Sequence, residues 1–135
     1  MSNKHYTCTF DKLVLSGKCD CKFSAKDCIA EKEFGVCLDN SSSNQCQLLY
    51  NNLRDNSNFV LNIHHQNNLL TGQQLKIKMG GLLALQEILN IDNNNHIKDI
   101  SNLVKVIKKK YIDFKKINFS KLMPKIAKFK FREKS

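Results

Sequence analysis

A chain of 135 residues is the size of one domain, and 41% hydrophobic with 25% charged residues argues against a disordered or fibrous protein. No run of about 18 apolar residues occurs, which excludes a membrane-spanning helix by pattern. The net charge is +10 and sits entirely at one end: residues 105–135 hold twelve Lys or Arg against two acids, whereas residues 1–104 hold ten of each.

Tyr6, Cys8 and Phe10 alternate with threonines, the period of a half-buried strand. Leu13-Val14-Leu15, a turn at Ser16-Gly17 and Lys18-Cys19-Asp20-Cys21 complete an expected hairpin over 6–23. Ser24 is placed to cap a helical turn through Cys28 and Phe34 that stops at Gly35. Residues 39–44 have loop composition, with turn-formers suited to starting a helix. Cys46, Leu49, Tyr50 and Leu53 then form the stripe of an amphipathic helix. The stripe either continues to Phe59-Val60 or gives way to a strand over 59–63, where Phe59, Leu61 and Ile63 alternate.

Beyond turn signals at 67–68 and 71–72, Leu75, Ile77 and Met79 alternate with Lys76 and Lys78, which predicts a strand ended by Gly80-Gly81. Leu82, Leu83, Leu85, Ile88 and Leu89 follow at helical spacing and make the central core helix. A loop at Asn93-Asn94-Asn95 precedes a helix capped by Asp99 or Ser101, with an apolar face of Ile100, Leu103, Val104, Ile107 and Tyr111, extended by Phe114. A last short helix begins after Ser120 and is interrupted near Pro124. The expected fold is α+β: a small cysteine-rich β or irregular module packed on a helical C-terminal half with one or two further strands. Residues 1–104 form the module and core, and 105–135 a basic amphipathic helix and tail.

All six cysteines lie between positions 8 and 46, spaced C-x10-C-x-C-x6-C-x8-C-x8-C. The N-terminus has no apolar signal-peptide core, so a cytoplasmic location is expected, where clustered thiols point to metal or redox chemistry before disulfides. Four thiolates suit Zn(II) or an iron–sulfur cluster, since both favour soft anionic sulfur. Closeness in sequence selects Cys19, Cys21, Cys28 and Cys37, with Cys46 the next ligand and Cys8 a plain strand residue. The C-x2-C knuckles of common zinc ribbons and ferredoxins are absent. Free structural or redox thiols, and disulfides, are the alternatives.

His64-His65 is the one histidine pair, a candidate for metal ligation or for two surface side chains. Gly80-Gly81 reads as a tight turn rather than a phosphate cradle, because neither glycine-rich nucleotide motif is present. No nucleophile–base motif appears, so the chain reads as a binding protein rather than an enzyme. The basic end, with Lys128-Phe129-Lys130-Phe131-Arg132 alternating charge and ring, calls for an acidic protein partner or for nucleic acid. The expected function is a small metal-binding accessory or electron-transfer protein; the alternative is a nucleic-acid binder with a structural zinc.

Overall fold

The computed structural model describes residues 5–57, 71–91 and 96–129. The expected α+β architecture is present. A three-stranded antiparallel sheet lies in the N-terminal part, built from β1 (Tyr6–Thr7), β2 (Ser24–Ile29) and β3 (Lys32–Cys37) in the order β1-β3-β2. Helix α1 (Asp11–Leu15) follows β1. The helices α2 (Asn40–Ser57), α3 (Thr71–Ile88), α4 (Ile100–Tyr111) and α5 (Met123–Lys128) follow the sheet, with 3-10 turns at Phe114–Lys116 and Phe119–Lys121. No helix among the described residues is long and apolar enough to cross a membrane.

The N-terminal segment departs from the expected hairpin over 6–23. Tyr6 and Thr7 pair with Cys37 and Val36 instead, and residues 11–15 coil because Phe10 and Leu13, three apart, both bury in the core. Where a helical turn was expected after Ser24, β2 and β3 form a hairpin with Ile29 opposite Lys32. Its two-residue loop, Ala30-Glu31, has φ of +52° and +70°, the primed turn whose twist matches paired strands. Ala-Glu carries none of the usual Asn-Gly signal for such a turn.

Helix α3 is the centre. Every residue from 77 to 86 is buried, so the helix is packed on all sides rather than on one stripe. The strand expected over 75–79 and the turn at Gly80-Gly81 are therefore both corrected to helix. The alternation of Leu75, Ile77 and Met79 misleads because Lys78, which reads as the solvent side, is itself buried at 9% exposure. The glycines admit neighbours: a Cβ on Gly80 would lie 2.9 Å from the Ile126 Cα, and one on Gly81 2.8 Å from a Leu53 methyl. Leu49 and Leu53 of α2, Ile100, Leu103 and Ile107 of α4, and Ile126 of α5 belong to the same core as Ile77, Leu82 and Leu85 of α3.

The expected stripe of α2 is buried as read, and the helix starts earlier, at Asn40. Helix α4 also follows its expected face. Asp99 is its cap, accepting from the Ser101 N–H at 3.2 Å and the Ser101 hydroxyl at 2.8 Å. The helix stops at Ile112, whose φ is +68°, with a tight turn from the Asp113 N–H to the Tyr111 carbonyl at 2.6 Å. Pro124 opens α5 in its first turn rather than interrupting it, since that position needs no N–H partner. The expected features at 58–70 (including His64-His65), at 92–95 and at 130–135 lie outside the described residues.

Segment 18–22 ties the cysteine-rich part to the start of α4. Cys19 bridges Ile97 in parallel, the Asp20 N–H donates to the Ile97 carbonyl at 2.9 Å, and the Ile100 N–H donates to the Asp20 carbonyl at 2.8 Å. The Lys22 N–H adds a bond to the Asp99 carboxylate at 3.2 Å.

Candidate functional site

Four thiols from four separate segments border one narrow pocket: Cys8, Cys21, Cys37 and Cys46. The register explains how. Tyr6 pairs with Cys37, so Cys8, two residues on, sits diagonally across from Cys37. Ser24 also pairs with Cys37, and its N–H donates to the Cys21 carbonyl at 3.0 Å, which brings Cys21 to the same end of β3. Helix α2 supplies the fourth. The Ser43 hydroxyl donates to the Thr7 carbonyl at 2.7 Å and the Thr9 hydroxyl to Gln47 Oε1 at 3.1 Å, which fixes the first half of α2 against segment 7–9. Cys46 lies one turn beyond Ser43 and so shares that face.

The electrostatics describe a close group. Burial raises the Cys8 thiol from 9.0 to about 11, with the charges of Asp11, Cys21 and Cys37 adding to the rise. Burial pushes Cys46 up further, helped by Cys21, Cys8 and Cys37. Cys37 is also raised by burial, against a lowering backbone contact with Asp39, and Cys21 raises it again; the Cys37 thiol donates to the Asp39 carbonyl at 3.2 Å. All six pairs among the four thiols therefore interact. Cys8, Cys37 and Cys46 are protonated at neutral pH unless a cation enters, and a bound metal would displace their protons.

The other two cysteines stand apart. Cys19 is fully buried in the core, where its thiol donates to Met79 Sδ at 3.5 Å, and burial lifts it to about 12. Cys28 is exposed on β2, opposite Glu33. Of the five cysteines selected by sequence spacing, the structure thus groups Cys21, Cys37 and Cys46, and adds Cys8. No spacing signal marks Cys8; only the β1–β3 register brings it in. The described histidines pair elsewhere, His96 with Asp20 at 3.0 Å and His5 with Asp27 at 3.3 Å. Gly80 and Gly81, inside α3, form no anion cradle.

The pocket encloses about 10 Å³, the space of one water-sized sphere. That suits a single ion and not a multi-atom cluster. As the side chains stand, no three His, Cys, Asp or Glu among the described residues are placed to hold a metal ion. Zinc–sulfur bonds of about 2.3 Å put tetrahedral sulfurs about 3.8 Å apart, so binding requires the thiols to turn inward by side-chain rotation.

Comparisons with protein-family models, with curated proteins and with solved structures give no match to this chain.

Proposed function

We propose that this chain is a metal-binding protein in which Cys8, Cys21, Cys37 and Cys46 hold one zinc ion as thiolates. One observation carries the reading: four thiols from distant segments border a single pocket. Its single-ion size favours zinc over the iron–sulfur cluster. Such an ion would tie β1, the 21–24 turn, β3 and α2 together, and its role is structural because four protein sulfurs leave no open position.

The test is anaerobic zinc or cobalt loading of the full chain, with metal content and thiolate–cobalt charge-transfer absorbance as readouts. Uptake of one ion with proton release is expected. It should be lost in Cys37→Ser and Cys46→Ser and retained in Cys28→Ser and Cys19→Ser. Failure to bind metal, or retention in both Cys37→Ser and Cys46→Ser, overturns the reading.

The lysines give the second half. Lys105, Lys108, Lys109, Lys110, Lys115 and Lys116 are all exposed, with Asp113 the one acid between residues 105 and 129. These lysines dock on an acidic protein surface, making the chain an accessory subunit. Retention on polyglutamate beads in preference to duplex DNA at physiological salt supports that partner class; preference for the DNA overturns it.

A further inference from the structure

A second cavity adjoins the thiol pocket. A groove of about 230 Å³ lies between the N-terminal part of α2 and the flank of α4. Cys46 and Val104, both buried, provide apolar surface. Lys105, Lys108 and Lys109 line the α4 side with positive charge. Lys108 is partly engaged, its Nζ 5.2 Å from the centre of the Phe114 ring. The charge of Lys105 also reaches the Asp39 carboxylate, which stays below its ordinary value chiefly through its bonds with Ser42.

One further group borders this groove. Gln45 Oε1 is the single buried side-chain oxygen or nitrogen among the described residues with no hydrogen-bond partner. A buried acceptor left unpaired is costly, and rotation of the Gln45 side chain toward the groove would let a donor arriving there relieve it. The three features are complementary: apolar surface for a hydrocarbon body, cations for a negative head, and a lone acceptor for an O–H or N–H. The volume falls below the roughly 300–1,000 Å³ of drug-sized pockets, which selects a single-ring or short-chain molecule over a helix or a nucleic-acid strand.

We propose that the α2–α4 groove binds a small amphipathic anion that carries a hydrogen-bond donor on its apolar body. Cys46 borders both this groove and the thiol pocket, but the groups that would choose the ligand here, Gln45 and the lysines, are not proposed zinc ligands, so the test below is read at those groups and does not depend on zinc.

Four probes separate the features by nitrogen–proton NMR titration of the full chain. They are 4-hydroxyphenylacetate, phenylacetate without the donor, 4-(2-hydroxyethyl)phenol without the charge, and acetate without the body. Saturable shifts at the Gln45, Cys46 and Val104 amides are expected for 4-hydroxyphenylacetate. Phenylacetate should bind at least about fivefold more weakly, the smallest penalty expected for an unpaired buried acceptor. Acetate should give no saturable shift. Gln45→Leu should abolish the difference between the hydroxylated and plain acids, and Lys105→Gln with Lys109→Gln should abolish the preference for acid over alcohol. A merely structural role for these residues would move neither ratio. The proposal is overturned if no probe shifts these amides at millimolar concentration, if acetate binds as tightly as the ring acids, or if the hydroxyl preference survives Gln45→Leu.

Discussion

The helical core and the N-terminal sheet are held by different means. Around α3 ten consecutive residues, 77–86, are buried, within a core to which α2, α4 and α5 contribute Leu, Ile and Met side chains. In the sheet β2 buries no residue at all, and β3 buries only Gly35, Val36 and Cys37. Its cohesion comes from strand pairing and from polar stitches such as Ser43 to Thr7 and Thr9 to Gln47. The four thiols lie at the seam between the two regions. A small domain whose sheet has so little core of its own is the kind that a bound metal stabilises.

The largest effect should come from the core side of this contrast. Leu82 is fully buried at the middle of α3. Leu82→Ala removes its buried methyl groups and leaves a cavity among helices that cannot collapse fully, so a loss of about 2–5 kcal/mol is expected by urea unfolding. A loss below about 1 kcal/mol would mean that α3 is not the packed centre, and the contrast with the sheet would fail.

Alkaline pH should act on the sulfur side. In metal-free protein Cys8 titrates at about 11 and Cys19 at about 12, both raised from 9.0 by burial. The unfolded chain releases these protons first. The stability that the buried thiols contribute is therefore complete below pH 9.0 and is lost as pH rises through 11 and 12. Lys78 opposes this. Burial lowers it below its ordinary 10.5, despite attraction from Asp11, so its deprotonation favours the folded chain as pH approaches 10.5. Urea midpoints in chelator should fall above pH 9.0, and Lys78→Met should steepen the fall. A midpoint independent of pH there would show that these thiols are not buried.

These regions also differ in how far a sequence reader can see them. Helix α4 is legible because Ile100, Leu103, Val104 and Ile107 face inward while Lys105, Lys108, Lys109 and Lys110 face water, and Asp99 caps it. The α2 stripe is legible for the same reason. Helix α3 is legible in its second half, where Leu82, Leu83, Leu85 and Ile88 keep helical spacing, but not in its first, because a helix buried on all sides shows no polar face and Gly80-Gly81 reads as an end when it is a close approach. The β2–β3 hairpin hides behind an Ala-Glu turn. That the site is sulfur-rich and N-terminal can be read from composition. Its membership cannot, because Cys8 joins Cys21, Cys37 and Cys46 through strand register, and Cys19 and Cys21 face different surroundings in a segment that bridges at only one residue.

A gain is expected at the end of α4. Ile112 is 70% exposed, so its side chain contributes little packing, yet it holds a β-branched residue at a φ of +68°. Ile112→Gly should raise stability by about 1 kcal/mol by releasing that strain, less the entropy glycine loses on folding. Thermal unfolding would register it, and a loss would place the Ile112 side chain in a contact that its exposure denies.

The smallest effect sharpens the sulfur comparison most. Cys28 is exposed near the tip of the hairpin, and Cys28→Ser exchanges one solvated group for another, so a change within about 0.5 kcal/mol is expected. Cys19→Ser sets a hydroxyl against Met79 in a fully buried position and should cost about 1–3 kcal/mol. Neither should change metal content. The pair separates two roles for cysteine that chain position alone confounds, since Cys19 lies two residues from Cys21 and Cys28 seven. Were Cys28→Ser to cost as much as Cys19→Ser, the hairpin tip would be packed against something. The sheet would then have a core of its own, and the proposed zinc site would no longer be needed to account for its stability.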